Sequence, residues 1–172
     1  MKIILFALML ALLAVPGALF AGDPPRHEEA NWVDVSKLPL KDAITIRKGN
    51  GAKELIMFTD VDCPFSRKAH EWLNSQTNYT LHIFLYPLNI HHHSHDKSVQ
   101  VLCSKNRIAA LHTALSGKEI GSEKCEAGEK MLARHIAVAR KVGVHSTPIF
   151  VTETGAKISG WGKKTQESIL KN

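Results

Sequence analysis

The chain is poor in aromatic residues, which make up 6% of its 172 positions, and its 22 Lys and Arg are scattered among 16 Asp and Glu. It has no basic stripe interleaved with aromatics, which argues against a nucleic-acid partner. The formal charge of +6 is read as a solubility feature rather than as a means of capturing acidic surfaces. There is no internal repeat, and no low-complexity segment apart from a short histidine run. One long apolar run stands out, Ile3–Val15, preceded by Lys2 and followed by Pro16-Gly17 and a small-residue exit at Ala21. Its length is too short to cross a hydrocarbon core of ~30 Å comfortably, so residues 1–21 read as a secretory signal peptide. No cysteine follows the run, which argues against a lipid-modified N-terminus. Residues 22–37, with Pro24-Pro25 and several charges, read as a mobile leader. Roughly 150 residues remain after the signal peptide, enough for one domain with its own core and too few for two.

Cysteine is scarce and odd in number: Cys63, Cys103 and Cys125. An exported chain lives in a compartment where disulfides persist, so at least one of the three is free or pairs with another molecule. Cys103 and Cys125 flank a mostly polar stretch containing Ser116-Gly117 and Gly121, which reads as a connection between helices. A bridge there would constrain the unfolded chain by about 3 kcal/mol in the loop-entropy account and would leave Cys63 alone. Cys63 follows the apolar run Leu55–Phe58 and precedes Pro64, a context that reads as a strand ending, an exposed thiol, and a helix beginning. Orphan backbone N–H groups and the positive end of a helix dipole make such a position favourable for a thiolate in general, although Asp60 and Asp62 would oppose it. The residue three further on, where a dithiol motif has its second cysteine, is Ser66.

Periodicity supplies the rest. Ala43–Arg47 alternates like an edge strand, Gly49-Asn50-Gly51 is a hairpin-type turn, and Glu54–Phe58 is a short buried strand. Pro64–Asn74 reads as a helix, Tyr79–Leu88 as a strand, and His91–Asp96 as a loop. Lys97–Leu115 and Cys125–Val142 have helical spacing; Ile149–Thr152 and Lys157–Ser159 read as strands, and Thr165–Leu170 as a closing helix. That order describes an α/β domain with one sheet covered on both faces.

The segments Phe58-Thr59-Asp60, Cys63-Pro64-Phe65-Ser66, Tyr86-Pro87, Leu102-Cys103-Ser104-Lys105 and Gly143-Val144-His145-Ser146-Thr147-Pro148, with Gly160 before the last helix, carry a resemblance. Over residues 38–171 the chain resembles the catalytic domain of the DsbC/DsbG family of exported disulfide isomerases, without that family's N-terminal dimerisation domain. The resemblance implies a thioredoxin-like fold over 38–172, with a helical insertion between the central strand and a cis-proline strand opening at Thr147-Pro148. It also implies a structural disulfide between Cys103 and Cys125, Cys63 as the nucleophile, and a periplasmic location. Pro64, Phe65, Thr147 and Pro148 would contact the substrate, and Ser66 would donate a hydrogen bond to the Cys63 sulfur. With serine at position 66 the site cannot release its own mixed disulfide, so an external thiol or reducing partner is required. The expected function is monothiol thiol–disulfide exchange on exported proteins that contain disulfides, of the oxidoreductase or isomerase class. The protein is expected to act as a monomer, without a cofactor, nucleic acid or, once the signal is removed, a membrane. Two alternatives from other classes remain: a non-catalytic client-binding or chaperone module, and a copper- or zinc-handling protein. The metal reading would use His91-His92-His93-Ser94-His95-Asp96, although neighbouring loop histidines do not preset a metal geometry and a solvated loop is the plainer reading. Trp72 and Trp161 read as packing residues, and the Asn78-Tyr79-Thr80 sequon opens a strand and carries little weight.

Overall fold

The structure is a computed structural model that describes residues 31–121 and 123–171. The signal peptide expected over residues 1–21 and the start of the leader lie outside the described residues. Among the described residues, five strands and five α-helices follow one another. They are β1 (Ile44–Lys48), β2 (Lys53–Thr59), α1 (Pro64–Ser75), β3 (Tyr79–Leu85), α2 (Ser94–Cys103), α3 (Arg107–Leu115), α4 (Glu126–Val142), β4 (Ile149–Thr152), β5 (Lys157–Ser159) and α5 (Lys163–Lys171).

The sheet order is β1-β3-β2-β4-β5. All seven residues of β3 are buried, as are the last five of β2, whereas β1 alternates buried and exposed at the sheet edge. β2 and β3 run parallel, pairing Leu55 with Leu81, Met57 with Ile83 and Thr59 with Leu85. Parallel neighbours need a crossover, and α1 supplies it. One sheet face packs Met57, Leu81, Ile83 and Phe150 against Ala69 and Leu73 of α1 and Leu111 and Leu115 of α3. The other packs Ile56, Phe58, Phe84, Ile149 and Val151 against Ala139 and Val142 of α4. A sheet covered on both faces explains why its middle strands are largely apolar on both sides.

Three sequence expectations need correction. The turn at Gly49-Asn50-Gly51 does not make a hairpin, because β1 pairs antiparallel with β3 and leaves β2 one strand away. The turn reverses the chain, but the buried β3 takes the place between them. The single helix read over Lys97–Leu115 is two, broken at Ser104–Asn106. Ser104 is extended, and the Asn106 side chain caps α3 by accepting from the Ala109 N–H at 3.0 Å. Residues 31–37, read as the end of the leader, are fastened to the domain. Trp32 bridges Ala156, the Val33 N–H donates to the Gly155 carbonyl at 2.8 Å, and Val33 is buried.

Cys103 and Cys125 are bonded, with Cα atoms 5.8 Å apart. The pair joins the end of α2 to the start of α4, and Gly128 permits the approach: a Cβ there would stand 2.4 Å from the Cys103 sulfur and 2.9 Å from the Val99 carbonyl. Glycine inside a helix costs about 1 kcal/mol relative to alanine, and at this position no larger residue fits without moving the disulfide. His135 of α4, fully buried, ties the helix across the sheet end. Its Nδ1 accepts from the Leu85 N–H at 3.0 Å, and its Nε2 lies 2.7 Å from the Asp42 carbonyl, to which it donates.

Candidate active site

The loop between β2 and α1 is built around two carboxylates. Asp60 is completely buried at the end of β2, yet both of its carboxylate oxygens are satisfied. Oδ1 accepts from the Asp62 N–H at 2.8 Å and from the Ser94 hydroxyl; Oδ2 accepts from the Leu88 N–H at 2.7 Å and lies 2.8 Å from His91 Nδ1. A buried carboxylate is tolerable only when it is surrounded by donors in this way. The result is a knot that holds the 60–63 turn against the 88–94 segment. Asp62 faces the other way, clamped by Arg67 at 2.7 Å and Lys97 at 2.8 Å. The two carboxylates expected to disfavour a thiolate therefore spend their charge elsewhere, one on four donors and the other on two cations.

Cys63 is the residue before helix α1, with Pro64 at the first helical position. Its N–H donates to the Asp60 carbonyl at 3.2 Å, and its carbonyl accepts from the Arg67 N–H at 3.0 Å, the first bond of the helix. The side chain does not cap the helix. Instead the sulfur donates to the Thr147 carbonyl at 3.3 Å, beside the cis Thr147–Pro148 peptide bond. Cys63 is the one free cysteine among the described residues.

Two expectations about this site are corrected. Cys63 is not exposed but 4% accessible, because the buried Thr147-Pro148 segment lies over the thiol. And Ser66 does not donate to the sulfur: Ser66 is fully buried and its hydroxyl has no hydrogen-bond partner, since the sulfur is turned toward Thr147. Pro64 and Phe65 are exposed, Phe65 by 54%, and form an apolar rim next to Cys63 in the chain.

The histidine run divides. His91 belongs to the Asp60 knot and is not a solvated loop residue, and helix α2 starts at Ser94, inside the expected loop. His92, His93 and His95 are exposed, with His95 3.7 Å from both Asp96 and Glu129. Among the described residues no three His, Cys, Asp or Glu side chains converge to hold a metal.

Sequence reasoning overlooked a histidine pair that joins α1, the helix starting after the thiol, to α3. His70 on α1 is 4% accessible, and its Nε2 lies 2.7 Å from Nδ1 of His112 on α3. Burial pushes the His70 imidazole down to about 4, with the neighbouring His112 and Lys48 adding to the effect. His112, His82 and His135 are also pushed below the usual histidine range by burial. The spacing of His70, seven residues after Cys63, was the available signal, since 63, 66 and 70 fall on one helix face. These buried imidazoles have a consequence for stability. An unfolded chain protonates them near 6.5, whereas the folded chain keeps His70 neutral down to about 4, so stability is lost as pH falls between those values. Urea unfolding at pH 7 and pH 4.5 is expected to differ by roughly 2 kcal/mol from His70 alone, with most of that difference missing in His70→Asn.

The thioredoxin-like domain family matches residues 40–169 of the chain. Among curated proteins, the chain is 29% identical over 134 residues to the probable thiol:disulfide interchange protein DsbC of Bordetella avium, covering 77% of this chain and 47% of that protein. It is 24% identical over 136 residues to the thiol:disulfide interchange protein DsbC of Salmonella typhimurium, covering 76% and 56%. The chain thus spans about half the length of the curated relatives it matches. A solved structure of a disulfide interchange protein from Neisseria gonorrhoeae superposes with a TM-score of 0.70 at 25% identity, covering 78% of this chain and 98% of that one. The catalytic domain of Proteus mirabilis ScsC, 18% identical with a TM-score of 0.56 over 76% of this chain and 88% of that one, shares the fold. With a matched span that takes in all five strands and both sides of the Cys63 loop, this chain belongs to the thioredoxin-like domain family.

Proposed function

We propose that this protein is an exported, periplasmic monothiol thiol–disulfide exchange protein, with Cys63 as nucleophile. The observation that carries the reading is the placement of the free thiol: it stands at the start of α1, its sulfur against the Thr147 carbonyl and two residues before the exposed Phe65. The names of the DsbC relatives and of the Neisseria structure support the same chemistry.

The thiolate, not the thiol, attacks. The thiol's S–H bond to Thr147 is of the weak kind, so loss of the proton frees the sulfur from that carbonyl. The Cys63 sulfur then attacks one sulfur of a client disulfide; a Cys63–client disulfide forms and the second client sulfur leaves as thiolate. Because position 66 is serine, release needs another thiolate: either the client's own, which completes an isomerisation, or an external thiol, which returns Cys63 and transfers the disulfide. In this scheme Ser66 becomes the donor to the ionised sulfur, Pro64 and Phe65 offer the apolar rim, and Thr147 and Pro148 border the client segment. Clients are exported proteins bearing disulfides, and the partner is a small or protein thiol.

The burial of Cys63 favours one rival, a client-binding module whose thiol takes no part. Adduct formation and client protection, measured on the same two proteins, separate these readings. Incubating the protein with a fluorescent peptide disulfide should yield a covalent, dithiothreitol-reversible adduct that maps to Cys63 and is absent from Cys63→Ala. Protection of a client from aggregation at equal strength by both proteins, with no adduct, would establish the rival.

A further inference from the structure

Helix α1, which begins just after the thiol, carries a buried polar stripe, Ser66 and His70, that the exchange steps above leave largely unused. Residues 63, 66 and 70 are three and four apart and share one face. Helical side chains lean toward the N-terminus, over the preceding turn, so His70 leans toward Ser66 and Ser66 toward Cys63. Ser66 is fully buried and His70 is 4% accessible, and each has an unpartnered polar atom, the Ser66 Oγ and the His70 Nδ1. The other ring nitrogen of His70 is engaged, 2.7 Å from His112 Nδ1. Two consecutive buried orphans on the face leading to a lone thiol call for an occupant or a partner.

We propose that His70, backed by His112, is a positioning residue that turns the Ser66 hydroxyl onto the Cys63 thiolate. While the sulfur is protonated it donates to Thr147, and the stripe stays open. Once ionised, it has no proton to give, is repelled by the carbonyl oxygen and needs donors. The Ser66 O–H then donates to the sulfur, the His70 Nδ1–H to Ser66 Oγ, and the His112 Nδ1–H to His70 Nε2, with the Asn74 side-chain amide, 3.4 Å from His112 Nδ1, turned to present its oxygen to that N–H. Every link donates in one direction, and both imidazoles stay neutral throughout. Their burial favours that neutral form. The charged groups facing the pair are Lys48, at the end of β1 with its Nζ on the Asn74 carbonyl, and Arg67, Lys68 and Glu71, which line the adjoining surface groove with His70.

The inference rests on Cys63 being the nucleophile, and the test keeps the two apart. An asparagine at position 70 puts an amide nitrogen where Nδ1 stands, and a glutamine puts one where Nε2 stands, so the two variants disturb packing alike but differ in what they offer Ser66. The readout is the rate of Cys63 alkylation by iodoacetamide as a function of pH. At pH 7, His70→Gln is expected to react about fivefold more slowly than the parent, with its pH profile displaced upward as in Ser66→Ala, whereas His70→Asn stays within about twofold of the parent. In the Ser66→Ala background, His70→Gln should add nothing. Equal profiles for the asparagine and glutamine variants would overturn the proposal. If position 70 accepts neither amide, the same pair at the half-buried His112 must give the same order, asparagine above glutamine, and a reversed or flat order would equally overturn it. Failure of the exchange reading looks different: no adduct on Cys63 in the unsubstituted protein, whatever the residue at 70.

Discussion

A second thiol at position 66, introduced as Ser66→Cys, is expected to shorten the life of the Cys63 mixed disulfide by at least about a hundredfold. The reason is concentration. In the proposed scheme the thiol that resolves the adduct of the natural sequence comes from solution, where it is dilute. A thiol three residues along the same helix face is held beside the mixed disulfide, and its effective concentration there is far higher. The introduced thiolate would attack the Cys63 sulfur, the client would leave as its thiolate, and a disulfide between positions 63 and 66 would remain. Position 66 is fully buried with an unpartnered hydroxyl, so the larger sulfur replaces an unsatisfied polar atom with a weakly polar one. Rapid-quench mass spectrometry after mixing with the peptide disulfide gives the answer. The variant should pass from reduced protein to a product lighter by two hydrogens without accumulating adduct, while the natural protein stops at the adduct. An adduct of unchanged lifetime in the variant would mean that residue 66 does not reach the sulfur, and the active-site reading would fail with it.

The second large effect is expected at Asp60. Removing its carboxylate by Asp60→Ala strips an acceptor from the Asp62 and Leu88 N–H groups, the Ser94 hydroxyl and His91 at once, in a place no bulk water reaches. Unsatisfied buried donors cost about 1–3 kcal/mol each, and breaking a buried charged network typically costs about 3–5 kcal/mol in total, so a loss of about 4 kcal/mol in urea unfolding is expected. Asp60→Asn should recover only part of it. Whichever way the amide is turned, its NH2 faces a backbone N–H, that of Asp62 on one side or Leu88 on the other. Because the same knot anchors the turn leading to Cys63, both variants should also slow adduct formation. Full stability in Asp60→Ala would show that the 88–94 segment is held by something else.

Much of the fold could be read directly from residue order. β4 and β5 have the bounds that turn residues and alternation gave them, and α1 starts at Pro64 because proline there sacrifices no helical bond. The departures share a cause. The turn at Gly49-Asn50-Gly51 is a local signal, but which strand β1 pairs with is settled by competition for the sheet centre, and β3, buried at all seven positions, takes the place beside β2. The break between α2 and α3 was legible in Asn106, a good capping residue, but was hidden by continuous apolar spacing. At the site, Cys63, Ser66 and Thr147-Pro148 were named from local patterns and resemblance, whereas Asp60 was misjudged as a nearby repelling charge. Its partners Leu88, His91 and Ser94 are about thirty residues away in the chain, and no window of sequence brings them together.

The sequence by itself determined most of the elements, the free thiol at a helix start and the missing second cysteine, because propensity, capping and residue identity act within a few positions. The tertiary structure alone decided that the thiol is covered by Thr147, that both neighbouring carboxylates are occupied elsewhere, and that His70 of α1 meets His112 of α3. Those outcomes depend on which segments the folded sheet and its helices bring into contact, and hydrogen bonds and burial respond to distance in space and not to separation along the chain.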